Sequence, residues 1–331
     1  MPKIRLNRKH FFSNLDAIAK RTKGVEKIAL VLKDNAYGHG LLEIATLAKE
    51  YGISRVVVRT QEEALALKEY FAYILVLADK PQKADEKIHY TINDLESISS
   101  FAEGTLVELK VDTGMNRNGV HIKQFQEALA KIKEHKLLLK AIFTHHSCAD
   151  ESTQKFTMQQ KNFAQVKAMA PDGVMFHSCN SAALFRSEDF DEDMARVGIA
   201  AYGCLEFPKA LNIPLSLQPV LSVYASKNSS RAVESGESVG YGSLFVAEKK
   251  EYVTNYDFGY ADGFLRACSS RFETPNGVKI VGRISMDNSS FLSKEEEILI
   301  FNDAKEVAKV AGTISYEVLT SLKAHIPREI V

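Results

Sequence analysis

The chain has 331 residues, of which 45% are hydrophobic and 25% charged, and its formal net charge is +0. This composition is typical of a globular protein and disfavours nucleic acids and anionic membranes as partners, because both need a basic surface. No apolar run approaches the ~20 residues that cross a bilayer, and no secretory signal is recognisable. The four cysteines are scattered without metal-ligand spacing, so we expect reduced thiols, no metal site and a cytoplasmic location.

Eight apolar strand candidates alternate with helix-periodic segments through the first two thirds of the chain. The strand candidates cover residues 28–32, 55–59, 74–77, 89–92, 106–112, 138–144, 174–177 and 197–202. The helical segments have apolar residues three and four positions apart and include residues 41–50, 61–70, 123–134 and 154–169. Eight βα units in this length predict an α/β fold, a TIM (β/α)8 barrel. A doubly wound open sheet is the alternative that strand counting leaves open.

The pattern changes near Pro214 and Pro219 to short β segments separated by turn residues. These segments cover residues 220–225, 252–255, 278–284 and 297–301. We therefore predict two domains, a barrel over residues 1–216 and a mainly β C-terminal domain over residues 217–331.

A lysine joins an apolar run to a glycine-punctuated polar turn in residues 31–40, VLKDNAYGHG. The run is continuous rather than alternating, which is typical of a parallel strand buried on both faces. Lys33 therefore lies at the carboxyl end of an inner strand, where α/β proteins have their active sites. Partial desolvation favours the neutral, nucleophilic form of an amine, which Schiff-base chemistry needs. A strand-end lysine that reaches into solvent is the alternative interpretation.

This segment resembles the cofactor-lysine motif of the alanine racemase family, which binds pyridoxal 5'-phosphate (PLP). Further similar segments follow in the family's order at residues 111–117, 144–150, 177–181, 196–199, 240–242, 259–263, 282–287 and 313–318. The resemblance implies a TIM barrel followed by a mainly β domain, which Ile4 to Leu6 join as an extra strand. It also implies a homodimer with shared active sites that interconverts L- and D-alanine, supplying D-alanine for peptidoglycan.

The loops after the seventh and eighth strands of TIM barrels often bind phosphate, and here they contain Ser181 and Gly198. Ser181 begins a short helical stretch that can face an anion, and Gly198 allows close approach of the backbone. A helix N-cap is the other interpretation of Ser181. The resemblance implies that Ser181, Gly198, Ile199 and Tyr316 hold the PLP phosphate, with Tyr37 in support.

The resemblance further implies that Arg196 contacts the pyridine nitrogen of PLP and that His145 is its hydrogen-bond partner. A permanently charged arginine keeps that nitrogen unprotonated, because adjacent cations repel each other. The ring is then a poorer electron sink, and side reactions are restrained. On residue type alone, Arg196 would suggest a surface salt bridge.

Racemisation removes a proton from one face of Cα and returns it on the other, most simply with two acid/base groups. The resemblance implies that these are Lys33 and Tyr241, the latter contributed across the dimer by the β domain. A tyrosine flanked by glycines, as in residues 240–242, is also typical of an ordinary turn.

Arg117 follows the fifth predicted strand, and the resemblance implies that its fork binds the substrate carboxylate. Lys110 falls where many family members have a carbamylated lysine that orients this arginine. An ordinary lysine salt bridge is the alternative interpretation. The other residues implied for the substrate pocket and its entrance are Tyr260, Met286 and Asp287. Crowding by Tyr260 and Met286 together with Tyr316 favours a small substrate such as alanine.

Three positions depart from the family pattern. Asp34 stands where a small residue is usual, Gly240 where serine is common and Ser285 where cysteine is common. Three rival functions are a PLP-dependent decarboxylase, a racemase of broader specificity and a non-catalytic PLP carrier. The decarboxylase should have a carboxylate at the pyridine nitrogen and has no use for the Gly-Tyr-Gly motif around Tyr241. The broader racemases are often exported, and this chain shows no signal. The carrier would be a lone barrel, without the β domain that carries Tyr241 and Met286.

Overall fold

Two large sheets, a two-stranded sheet of Ser238–Val239 and Phe245–Val246, and the surrounding helices form the protein, whose computed structural model describes residues 1–81 and 83–331. The strands are β1 (Lys3–Leu6), β2 (Ile28–Val31), β3 (Arg55–Val58), β4 (Tyr73–Val76), β5 (Ile88–Ile92), β6 (Leu106–Asp112), β7 (Val120–His121), β8 (Leu138–Phe143), β9 (Met175–His177), β10 (Ala195–Val197), β11 (Leu221–Val233), β12 (Ser238–Val239), β13 (Phe245–Val246), β14 (Glu251–Tyr256), β15 (Ile280–Val281), β16 (Ser289–Leu292), β17 (Glu297–Phe301) and β18 (Arg328–Ile330). The helices are α1 (Arg8–Thr22), α2 (Lys33–Tyr37), α3 (Leu41–Tyr51), α4 (Gln61–Leu67), α5 (Phe125–Glu134), α6 (Lys155–Met169), α7 (Ser181–Arg186), α8 (Ala304–Ala311) and α9 (Ser315–Ser321). Within the described ranges, no helix is both long and apolar enough to cross a membrane.

The larger sheet is a nearly closed barrel of eight parallel strands in the order β10-β2-β3-β4-β5-β6-β8-β9. A parallel bridge between Asn180 and Arg196 joins the end of β9 to β10, with the Arg196 amide donating to the Cys179 carbonyl at 2.9 Å. The predicted TIM barrel is therefore confirmed, and the doubly wound open sheet is wrong.

Seven barrel strands lie close to their predicted ranges, whereas the eighth was misplaced. It was predicted over residues 197–202 but ends at Val197. Beyond it the chain turns tightly, with the Ala201 amide donating to the Gly198 carbonyl at 2.8 Å. These apolar residues are buried in a turn, and a continuous apolar run does not distinguish that from a strand.

The smaller of the two large sheets has the order β15-β16-β14-β11-β1-β18, with β17 also paired to β11. The strand β1 lies between β11, to which it is antiparallel, and β18, to which it is parallel, so the predicted extra strand is confirmed. The strand predicted over residues 278–284 is only Ile280–Val281, because Gly282 has a φ of 70° and leaves the extended conformation. The predicted domain boundary at residues 216 and 217 falls between β10 and β11 and stays a prediction.

The helix α9 links the two parts of the molecule. A Cβ atom added to Gly38, which follows α2, would lie 2.0 Å from the Leu319 carbonyl oxygen of α9. One added to Gly263 would lie 2.5 Å from the Ser321 carbonyl oxygen. Only glycine permits these two close approaches, the first of which places α9 against the chain that follows β2 and the second against the loop that follows β14.

Candidate active site

The segment after β2 is a left-handed helical turn. The φ angles of Asp34, Asn35, Ala36 and Tyr37 lie between 51° and 56°. The Ala36 amide donates to the carbonyl of Leu32 at 2.8 Å, which closes the turn. Each residue other than glycine costs about 1–2 kcal/mol in this conformation, so the turn is strained. It brings Lys33, at its start, and Tyr37, at its end, to the carboxyl end of the barrel.

Side chains around the turn hold this conformation. A carboxylate oxygen of Glu63 accepts from the Asp34 amide at 2.7 Å, and the Asn35 side-chain oxygen accepts from the Leu41 amide at 2.9 Å. The Nδ1 atom of buried His39 lies 3.0 and 3.1 Å from two carbonyl oxygens of the turn. Burial lowers the pKa of His39 to about 4, so the ring is neutral and one nitrogen can donate to these carbonyls.

Hydroxyl groups gather beside the turn where two loops meet. The Ser181 Oγ accepts from the amides of Gly198 and Ala200 at 3.1 and 3.3 Å, which leaves its proton free to donate. A Cβ atom added to Gly198 would lie 2.8 Å from the Tyr37 hydroxyl, and the Tyr37 and Tyr316 ring centroids are 5.8 Å apart. Burial raises the pKa of both tyrosines and keeps them protonated donors. Such a group of hydroxyls suits a phosphate.

Arg196 lies inside the barrel mouth and is only 5% exposed, so the surface salt bridge is wrong. Its guanidinium donates to His177 Nδ1 at 2.5 Å and to the Thr144 carbonyl at 2.7 Å. The predicted partner His145 is more distant, with its Nδ1 3.4 Å from Arg196 Nη2. Burial, reinforced by the charge of Arg196, holds the pKa of His145 well below its usual range, so this ring is neutral.

A fully buried carboxylate lies behind Arg196. Glu108 accepts from His177 Nε2 at 2.8 Å and His89 Nδ1 at 2.9 Å, and also from the Tyr73 hydroxyl. Burial alone would raise the pKa of Glu108, but the hydrogen bonds from both histidines outweigh it and lower the pKa. Burial lowers the pKa of His177, which therefore accepts from Arg196 and donates to Glu108 as a neutral ring. Glu108 thus offsets part of the charge of Arg196 through an imidazole, and the buried Glu192 carboxylate offsets it as well.

Four cationic side chains influence one another at this end of the barrel. Burial lowers the pKa of Lys110 to about 8, with further lowering by the charges of Arg196, Arg117 and Lys33. No carboxylate oxygen of the described residues lies within 4.0 Å of the Lys110 amine, so the ordinary salt bridge is not formed there. Arg117 is exposed at the rim, on a loop whose amides bind Asp112 Oδ1. The site is therefore suited to an anionic ligand.

The residues predicted from the C-terminal part are all exposed, although Tyr316, at 38%, still packs against Tyr37. Tyr241, Met286 and Tyr260 are 68%, 54% and 42% exposed, and Asp287 is also exposed. The cavity beside Tyr241 is lined by residues between 229 and 290 alone. Within one chain, Lys33 therefore does not line the cavity that Tyr241 lines.

Comparison with known proteins identifies the family. The model of the alanine racemase N-terminal domain matches residues 6–206, and that of the alanine racemase C-terminal domain matches residues 220–330. The chain belongs to the alanine racemase family. It is 41% identical over 336 residues to the alanine racemase of Nitratiruptor sp., with 99% of each chain covered. Membership of this family makes the protein an isomerase, an alanine racemase with the barrel and mainly β domain described above.

Solved structures agree with this assignment. Alanine racemase from Bacillus anthracis, with bound L-Ala-P, has a TM-score of 0.90 at 26% identity, covering 100% of this chain and 95% of that one. Alanine racemase from Bartonella henselae, with covalently bound pyridoxal phosphate, has a TM-score of 0.86 at 27% identity, covering 100% and 99%.

Most of the residues implied by the alanine racemase resemblance lie together at the barrel mouth. They are Lys33, Tyr37, Lys110, Arg117, His145, Ser181, Arg196, Gly198, Ile199 and Tyr316. The N-cap interpretation of Ser181 is wrong, because Asn180 caps α7 by accepting from the Ala183 amide at 2.9 Å. Sequence reasoning missed Glu108, although a charged residue inside the apolar strand 106–111 was a usable signal.

We expect Glu108→Gln to lower the free energy of unfolding by about 3 kcal/mol or more, because it removes one of the two buried carboxylates, Glu108 and Glu192, that offset the charge of Arg196. Denaturant unfolding at neutral pH measures this. The control is Glu103→Gln, since Glu103 pairs with Lys136 and both side chains are about two-thirds exposed. Loss of this exposed ion pair should lower the free energy of unfolding by less than about 1 kcal/mol. Equal costs for the two variants would show that Glu108 does not balance a buried charge.

Proposed function

We propose that this protein interconverts L- and D-alanine with PLP bound at Lys33. The observation that carries the proposal is the strained turn, which presents Lys33 and Tyr37 to a site with both hydroxyls and cations. When bound, PLP acts as an electron sink that weakens the Cα–H bond of an amino acid. The residues at the barrel mouth fit its anionic groups.

The phosphate fits among the hydroxyls and glycine backbone beside the turn. Ser181 has a free hydroxyl proton, and the missing side chain of Gly198 lets the Tyr37 hydroxyl lie close to the backbone that leads into Ile199. Tyr37 and Tyr316 remain protonated, so they donate rather than repel an anion. We assign these five residues to the phosphate.

Arg196 and His145 would then hold the pyridine ring. The arginine is buried and its charge is balanced through His177, so it stays a cation. A cation at the ring nitrogen disfavours protonation there, which limits the electron sink and restrains side reactions. A PLP decarboxylase should have a carboxylate at this position, so Arg196 favours the racemase.

Arg117 would bind the substrate carboxylate, because its fork matches that group. We further propose that Lys110 is carbamylated and orients Arg117. Carbamylation needs a neutral amine, and the lowered pKa of Lys110 makes that form more accessible than in an ordinary lysine. A carbamate would also supply the negative charge that this group of cations needs.

The exposed position of Tyr241 supports a homodimer with shared active sites. In this arrangement Lys33 and Tyr241 of the partner subunit each hold or accept a proton, one on either face of the substrate Cα. Tyr260, Met286 and Asp287 of the partner subunit would narrow the pocket and its entrance. The crowded pocket favours alanine, and a cytoplasmic enzyme of this kind would supply D-alanine for peptidoglycan.

Borohydride reduction followed by peptide mapping tests the cofactor site. The pyridoxyl group is expected on Lys33, and a pyridoxyl group on another lysine would refute the assignment. A chiral assay with L-alanine and L-serine separates an alanine racemase from a broader one, and carbon dioxide release would identify a decarboxylase. Lys33→Ala should abolish racemisation, whereas Lys140→Ala, on the outside of β8, should not.

A further inference from the structure

We propose that Arg328 is a positioning residue that holds the left-handed turn in the shape that binds the cofactor. This inference rests on the proposed function, since it concerns how the turn presents Lys33 and Tyr37. Arg328 lies in the C-terminal sheet, at the start of β18, and is remote in sequence from the turn.

Among the residues that the structure describes, the Arg328 guanidinium binds carbonyl oxygens alone. Its Nε and Nη2 atoms donate to the Gly38 carbonyl at 3.2 and 2.8 Å. Its remaining bonds reach the carbonyls of Lys323 and Ala324, both at 3.1 Å, and that of Ile326. No carboxylate oxygen in the described part of the chain lies within 4.0 Å of it. One rigid group therefore ties the exit of the turn to the segment that leads into β18.

The position of this link explains why it matters. Gly38 directly follows four residues in the left-handed conformation, each of which has a lower-energy alternative. The α9 backbone limits Gly38 on one side, because a Cβ atom there would meet the Leu319 carbonyl at 2.0 Å. Arg328 fixes the carbonyl of the same residue. Without the Nε and Nη2 donors of Arg328, the Gly38 carbonyl would lose two hydrogen bonds. The turn would then be free to leave the left-handed conformation.

If the turn left this conformation, Tyr37, the neighbour of Gly38, would be the first side chain to shift. The Tyr37 hydroxyl packs against Gly198 in the group of hydroxyls that suits a phosphate. A shift of Tyr37 would weaken cofactor binding without removing any group that contacts the cofactor. A residue that serves only the C-terminal sheet would instead change stability and leave cofactor affinity unchanged.

The experiment compares PLP binding to the cofactor-free forms of the wild type, Arg328→Gln and Arg5→Gln. Arg5 is a matched control, because it lies on β1, next to β18, and its guanidinium contacts the Tyr224 ring and the carboxylates of Glu297 and Glu329, none of which belongs to the turn. Absorbance titration should show a PLP dissociation constant at least tenfold higher for Arg328→Gln and within twofold of wild type for Arg5→Gln. If Arg328→Gln does not fold, Arg328→Lys, which keeps the charge but loses the fork, takes its place with the same expectation.

A second substitution separates positioning from general stability. Ala36→Gly lowers the cost of the left-handed conformation, so it should restore most of the PLP affinity that Arg328→Gln loses. It should not restore affinity to Tyr37→Phe, which lacks the hydroxyl itself. A lower melting temperature of the cofactor-free protein with unchanged PLP affinity would overturn this inference alone. Failure of the wild type to bind PLP would overturn the proposed function and this inference with it.

Discussion

A mixture of Lys33→Ala and Tyr241→Phe proteins is expected to regain activity that neither variant has alone. Under the proposed mechanism each substitution removes one of the two acid/base groups, which should cost about 10²–10⁴-fold in rate. In a symmetric dimer with shared sites, half of the randomly exchanged dimers are hybrids, and one of the two sites in each hybrid is intact. Activity should therefore approach about a quarter of the wild-type value, as measured by a chiral assay after subunit exchange.

The control mixture combines Lys33→Ala with Arg117→Ala. Both residues lie on the barrel, so every site in a hybrid dimer lacks one of them and no rescue is expected. Hybrid formation can be followed with a tag on one variant. Abundant hybrids without rescue in the first mixture would refute the sharing of Tyr241 between subunits.

The second large effect concerns which face of the substrate each base serves. We expect Tyr241→Phe to slow α-deuterium exchange from L-alanine by about 10²–10⁴-fold, while exchange from D-alanine changes far less. One base cannot easily serve both faces of a substrate whose carboxylate is bound by Arg117. Mass spectrometry of each enantiomer after short incubation in heavy water measures the two rates.

The reciprocal variant provides the control. Lys33→Ala should reverse the preference, with the exchange rate of D-alanine falling more than that of L-alanine. The assay contains excess PLP, and the PLP occupancy of the variant is measured. Tyr252→Phe, which changes another exposed tyrosine of the C-terminal sheet, should alter neither rate. Equal losses for both enantiomers in Tyr241→Phe would indicate a single base or a damaged fold.

Much of the barrel could be predicted because its strands are short apolar runs. Residues 28–31 are all buried, and a strand buried on both faces has a sequence without alternation. The start of α4 at residue 61 could also be predicted from the sequence, because Thr60 and Glu63 form a capping box there. In both cases the signal is local, so the amino acids near a residue determine its conformation.

The features that were missed depend on distant contacts. Ala36 has no intrinsic preference for the left-handed region, and its conformation follows from packing against α9 and the bonds around the turn. Glu108 meets its partners His89 and His177 from other strands, and strand order alone does not give these pairings. Among the functional residues, Lys33 and Arg196 were found through the resemblance, whereas Arg328 required coordinates.

The position of β1 has a consequence for biosynthesis. Lys3–Leu6 needs both β11 and β18 as neighbours, yet it leaves the ribosome long before either of them. At about 5–20 residues per second, the wait for β18 is roughly a quarter of a minute to a minute. Until β11 is made, its apolar residues Ile4 and Leu6, which end fully buried, have no strand to pair with, and one edge stays unpaired until β18 follows. Chaperones that bind nascent chains therefore have a longer opportunity at this segment than at any barrel strand, each of which pairs with a neighbour made sooner.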